Sequence, residues 1–133
     1  MKNKIIFIFT ILILTSVLVF SQTINRTLYV ITIDGINAMA DYNHTIRYAS
    51  IDGVIHITIP HRNRNHVNDL YRFRPTATRN SFAVDITLAN NSGNEIYANG
   101  TATRSESQTH VTWNVRVRAN DGSQVNINIQ HSR

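Results

Sequence analysis

From residue 82 to the C-terminus, apolar and polar residues alternate one by one through four successive segments. Phe82, Val84, Ile86 and Leu88 alternate with Ala83, Asp85 and Thr87. Ile96, Ala98, Gly100 and Ala102 alternate with Tyr97, Asn99 and Thr101. Val111, Trp113, Val115 and Val117 alternate with Thr112, Asn114 and Arg116, and Val125, Ile127 and Ile129 with Asn126 and Asn128. Successive side chains of a strand point to opposite faces, whereas a helix would spread these residues around its circumference. The pattern predicts four strands, each with one buried face and one wet face.

Parity then constrains the turns. Paired strands must turn their apolar sets to one face, and a slip of one residue exposes the whole set. Leu88 and Ile96 therefore need an odd loop, and Asn91-Ser92-Gly93 fits, with Gly93 left-handed. Val117 and Val125 need another, and Asn120-Asp121-Gly122 fits the same way. Ala102 and Val111 differ in parity, so their loop is even and is placed at residues 105–108. This register sets Gly100 between Val84 and Trp113. The large neighbours then either cover the glycine or leave a ligand-sized gap beside Trp113.

The first half is less regular. Residues 26–33 are β-branched and aromatic, a strand ended by Asp34-Gly35. Residues 36–41 read as a loop or one helical turn. Asp52-Gly53, between residues 43–51 and 54–59, is the strongest hairpin signal and pairs Tyr48 with Ile57. Pro60 stops that strand. Residues 61–80 are polar and lack a clear period, so they form a long functional loop or a short irregular strand near residues 70–73. Seven strands are expected. Sequential hairpins favour an all-β, antiparallel up-and-down meander that is barrel-like, because closure removes sticky edges. An immunoglobulin-like sandwich is the alternative, with crossovers through residues 34–43 or 61–80.

Lys2 and Lys4 precede an uncharged apolar run over residues 5–20, and Val19 and Ser21 stand at −3 and −1 before Gln22. This is the layout of a secretory signal peptide over residues 1–21, leaving a single domain over 22–133. The run reaches roughly 24 Å as a helix, short of the roughly 30 Å hydrocarbon core. An exported chain, periplasmic or secreted, is expected. It has no cysteine, so packing and backbone pairing must supply its stability. Both lysines lie in the leader, so the domain's basic residues are all arginine, eleven against eight acids. Five of those arginines fall in residues 61–80, against Asp69 alone.

The run DGVIHITIP with its basic loop, and the C-terminal VTWNVRVRANDGSQVNINIQHSR, resemble a family of small exported bacterial proteins known as a domain of unknown function. The resemblance covers residues 41–133. It implies a lipocalin-like barrel and assigns no functional residue.

The sequence holds no HExxH helix, no GxSxG elbow and no cysteine nucleophile, and its carboxylates are not paired by spacing. No catalytic residue, cofactor or metal site is expected, and an enzyme is not expected. His61, His66 and Asp69 share one segment, with His56 nearby, but a spacing of five suits no regular element that would aim both histidines at one ion. The stretches HRNRNH and LYRFRP interleave arginine with aromatic residues. The candidate ligand-binding residues are Arg62, Arg64, Tyr71, Arg72, Phe73 and Arg74, together with Trp113. If residues 71–74 are extended, Tyr71 and Phe73 share one face and Arg72 and Arg74 the other, as packed aromatics beside solvated arginines would also require. Export makes an anionic or lipidic envelope component a better partner than nucleic acid. The expected function is a non-enzymatic exported envelope protein that binds an apolar or anionic ligand, such as a lipid or glycan. A structural or protein-interaction β module is the alternative, and a hydrolase comes third.

Overall fold

A computed structural model describes residues 22–133, and the expected signal peptide lies outside them. The strands are β1 (Thr23–Ile33), β2 (Ile36–Asn37), β3 (Thr45–Ile51), β4 (Val54–Ile59), β5 (Asp69–Pro75), β6 (Ser81–Ala89), β7 (Glu95–Glu106), β8 (His110–Ala119) and β9 (Gln124–Ser132). A 3-10 turn, Met39–Asp41, follows β2. Strands β1 and β3 to β9 pair antiparallel in chain order, and β9 pairs back onto β1. The result is a closed eight-stranded meander, with β2 as a short flap on β1.

Turn chemistry sets most of the register. Asp52 and Gly53 have φ of 52° and 78°, the left-handed pair that matches strand twist in a two-residue hairpin. Tyr48 stands opposite Ile57, Leu88 opposite Ile96, and Val117 opposite Val125, as parity requires. The β7–β8 hairpin departs from expectation. Ser107 N–H donates to the His110 carbonyl at 2.9 Å, so the turn is Gln108-Thr109 and not residues 105–108. Parity is kept, but the turn moves on by two residues and the pairing of β7 with β8 slips by four. Gly100 faces Val117, and Trp113 faces Arg104. Trp113 therefore does not cover Gly100. A Cβ on Gly100 would lie 2.1 Å from the Arg116 carbonyl oxygen, so the backbone of β8 itself fills that space.

Two further corrections concern the first half. Residues 69–75 form a regular strand, which raises the barrel count from seven to eight. Tyr71 pairs with Ile57 on one side and Ile86 on the other, so β5 satisfies edges that β4 and β6 would otherwise leave open. Strand β1 carries a bulge between Leu28 and Val30. The extra residue lets Leu28 and Ile31 both point inward despite their parity. The first half of β1 pairs with β3 and the second with β9, so this bent strand closes the barrel.

The interior is filled. Phe73 stacks on Trp113 at 4.1 Å between ring centroids, and Phe82 meets the same indole edge-on at 5.1 Å. Ile57, Tyr71, Ile127 and Ile129 pack around them. An eight-stranded barrel is just wide enough for side chains to occupy. The outer wall, by contrast, carries Thr101, Asn114, Arg116, Asn126 and Asn128, polar outside and apolar inside, the reverse of a barrel that spans a bilayer. Among the described residues no helix is long and apolar enough to cross a membrane.

Candidate functional site

The two ends of the barrel differ in chemistry. One end is capped by the loops over residues 34–44, 60–68 and 90–94. They meet through backbone bonds from Asn43 to the Pro60 carbonyl and from Val67 to the Gly93 carbonyl. Beneath them lies Asp69, 1% exposed at the start of β5. Its Oδ2 accepts from the Tyr42 hydroxyl at 2.6 Å, and its Oδ1 bonds His61 Nε2 at 2.7 Å and accepts from the Ala89 N–H at 3.2 Å. Burial pushes the Asp69 carboxyl above its ordinary range, and the bonds from Tyr42 and His61 oppose that rise. Burial and the adjacent carboxylate push the Tyr42 hydroxyl up, so it stays a donor. With both oxygens engaged, Asp69 is a clamp that ties the start of β5 to the loops at 34–44 and 60–68 and to the end of β6. Among the described residues, no three His, Asp or Glu side chains converge as metal ligands.

The opposite end is open. Arg26 on β1, Tyr48 on β3, Arg104 and Glu106 on β7, Val111 on β8 and His131 on β9 face into a cavity of about 210 Å³, with Arg133 at its rim. The Arg104 guanidinium carbon lies 5.5 Å from the Trp113 ring centroid, and that of Arg26 lies 5.5 Å from the Tyr48 ring. Glu106 pairs through Oε1 with Arg104 and through Oε2 with Arg133, the latter at 3.4 Å. His131 forms the floor. Its Nε2 accepts from the Trp113 indole N–H at 3.0 Å, so Nδ1 carries the proton and donates to the Ser132 carbonyl at 2.7 Å. Burial lowers the His131 pKa, and the positive charges of Arg26 and Arg104 lower it further. Three guanidiniums thus face one carboxylate beside a neutral imidazole. The Nε atoms of Arg26 and Arg104 are buried and have no hydrogen-bond partner among the described residues, as is also true of Arg72 Nε on the outer wall.

No family model, curated protein or solved structure matches this chain.

The structure scatters the residues singled out from sequence. Tyr71, Phe73 and Trp113 are fully buried in the barrel. Arg72 and Arg74 lie on the outer wall, where Arg74 pairs with Asp85. Arg62 and Arg64 sit in the loop at the capped end, and Arg62 is stitched down by its Nε to the Tyr42 carbonyl at 3.1 Å. Of the seven, Trp113 alone reaches the mouth, from below, through Arg104 and His131. The mouth residues come from strands far apart in sequence, yet parity marks them. Arg104 and Glu106 share the inward parity of Ala98 and Ala102, and His131 that of Ile127 and Ile129. A charge placed on the greasy face of a strand is the signal.

A larger concavity of about 600 Å³ is an open trough along the outer wall, between Thr101, Thr103, Asn114, Arg116, Asn126 and Asn128. Two of its amides bond each other, Asn128 donating to Asn114 at 2.6 Å. It is a solvated polar wall with no unpartnered buried group.

Proposed function

We propose that this chain is an exported, non-enzymatic binding protein whose open end takes the anionic group of a small ligand or lipid. One observation carries the reading: the mouth gathers three guanidiniums, those of Arg26, Arg104 and Arg133, against the single carboxylate of Glu106. An oxyanion in the cavity would answer that surplus of positive charge.

The packed interior supports an anionic over an apolar ligand. Trp113, Phe73 and Phe82 occupy the space that a hollow lipid carrier would leave open, so an acyl chain would have to remain outside. The cavity also offers no catalytic base. Glu106 is held by two arginines, and both His131 nitrogens are engaged. Export rests on the signal-like segment at residues 1–21. The strand-addition alternative is disfavoured because β9 pairs with β1, leaving neither strand a full-length edge.

Calorimetric titration of the purified protein with inorganic phosphate, glycerol phosphate and citrate tests the reading. Vesicles of phosphatidylglycerol and of phosphatidylcholine distinguish a lipid headgroup from a free anion. Binding should weaken at least about tenfold in R26A and in R104A and stay unchanged in R74A, whose pair lies on the outer wall. Equal binding by wild type and R26A/R104A, or no binding of any of these anions, overturns it.

A further inference from the structure

We infer that Glu106 is an internal stand-in for the ligand, and that the ligand is a phosphate monoester or free phosphate that displaces it. This rests on the binding reading just given and names the chemistry of that site.

Each Glu106 oxygen meets a different arginine, Oε1 on Arg104 and Oε2 on Arg133. The two guanidiniums are therefore already spaced for a group that presents several oxygens from one centre. Arg26 faces the same cavity and joins no ion pair among the described residues, so the carboxylate leaves one guanidinium unserved. A phosphate monoester brings three terminal oxygens, one for each arginine, where a carboxylate brings two. The charge also favours it: once Glu106 is displaced, a phosphate dianion brings two negative charges to three guanidiniums where a carboxylate brings one.

Displacement is easy for Glu106. It is the last residue of β7, at the edge of the Gln108-Thr109 turn, and its side chain is 36% exposed. Its partner Arg133 is 53% exposed. Pairs this open to water hold weakly, so a ligand with more oxygens and more charge can take their place. Glu106 thereby keeps the arginines extended and apart while the cavity is empty, and sets a threshold that a weaker anion does not pass.

Trp113 is the single tryptophan and lies under Arg104, so its emission reports on the mouth. The test titrates wild type, E106Q and R133A with phosphate, glycerol phosphate and acetate, following Trp113 fluorescence and heat. E106Q should bind phosphate about tenfold tighter than wild type, with an unchanged urea midpoint, and R133A should bind it several-fold more weakly. If wild type and E106Q bind phosphate equally, the stand-in idea falls and the binding reading stands. If acetate binds as tightly as phosphate, the phosphate assignment falls. If neither protein binds any anion, both readings fall together.

Discussion

Alanine at Gly100 would force β7 and β8 apart. The added Cβ would sit 2.1 Å from the Arg116 carbonyl oxygen and 2.8 Å from the Val117 Cα, both backbone atoms of the neighbouring strand. Ordinary contact needs about 3.4 Å or more, so β8 would have to retreat by more than ~1 Å, and no rotamer change can relieve a Cβ. Overpacking costs about 1–3 kcal/mol where side chains can yield, and here only backbone can, so about 3 kcal/mol is expected. For a domain of this size each kcal/mol lowers Tm by about 4 °C, which gives a drop of ~12 °C. The Arg104–Glu106 end of β7 hangs on that same pairing, so the mouth should loosen too. Urea unfolding followed by Trp113 fluorescence, with calorimetry for Tm, measures the effect. A G100A protein within about 0.5 kcal/mol of wild type would refute the close approach of β7 and β8.

Two further predictions concern the buried polar groups. D69N keeps the shape but sets an amide N–H2 against a donor from Tyr42 or His61, and should cost about 2–4 kcal/mol in urea unfolding, with faster amide exchange confined to the loops at 38–44 and 60–68. His131 gives a pH dependence. Burial holds its pKa below the ordinary 6.5, so the unfolded chain takes up more protons below that value and stability falls as pH drops through it. Protonated Nε2 cannot accept from Trp113. Between pH 7 and pH 5, wild type should lose stability more steeply than H131Q, by at most about 1.4 kcal/mol per pH unit, and parallel curves would contradict this.

The hairpins that were legible in sequence are those whose turns carry a residue suited to the left-handed region. Asp52-Gly53, Gly93 and Gly122 marked their turns, and all four residues have φ above zero. Gln108-Thr109 carries no such mark, so parity set an even loop but could not choose its length or place. Strand β5 was obscured by Asp69, an acid that reads as loop but is buried by partners 27, 8 and 20 residues away in sequence. The bulge after Leu28 has no glycine to announce it and inverts parity halfway along β1. The basic segment drew notice because its charges are adjacent in sequence, whereas the mouth gathers Arg26, Arg104 and Arg133 only once the barrel closes. Adjacency is a local property, and convergence depends on which strands become neighbours.

The sharpest measurement is a nuclear magnetic resonance titration of the nitrogen-labelled protein with phosphate, resolving the Trp113 indole N–H and the arginine Nε–H signals. Shifts should concentrate on Arg26, Arg104 and the Trp113 indole, with the His131 ring following. Shifts gathered instead on Arg62, Arg64, Arg72 and Arg74 would move the anion site out of the barrel mouth and contradict this account.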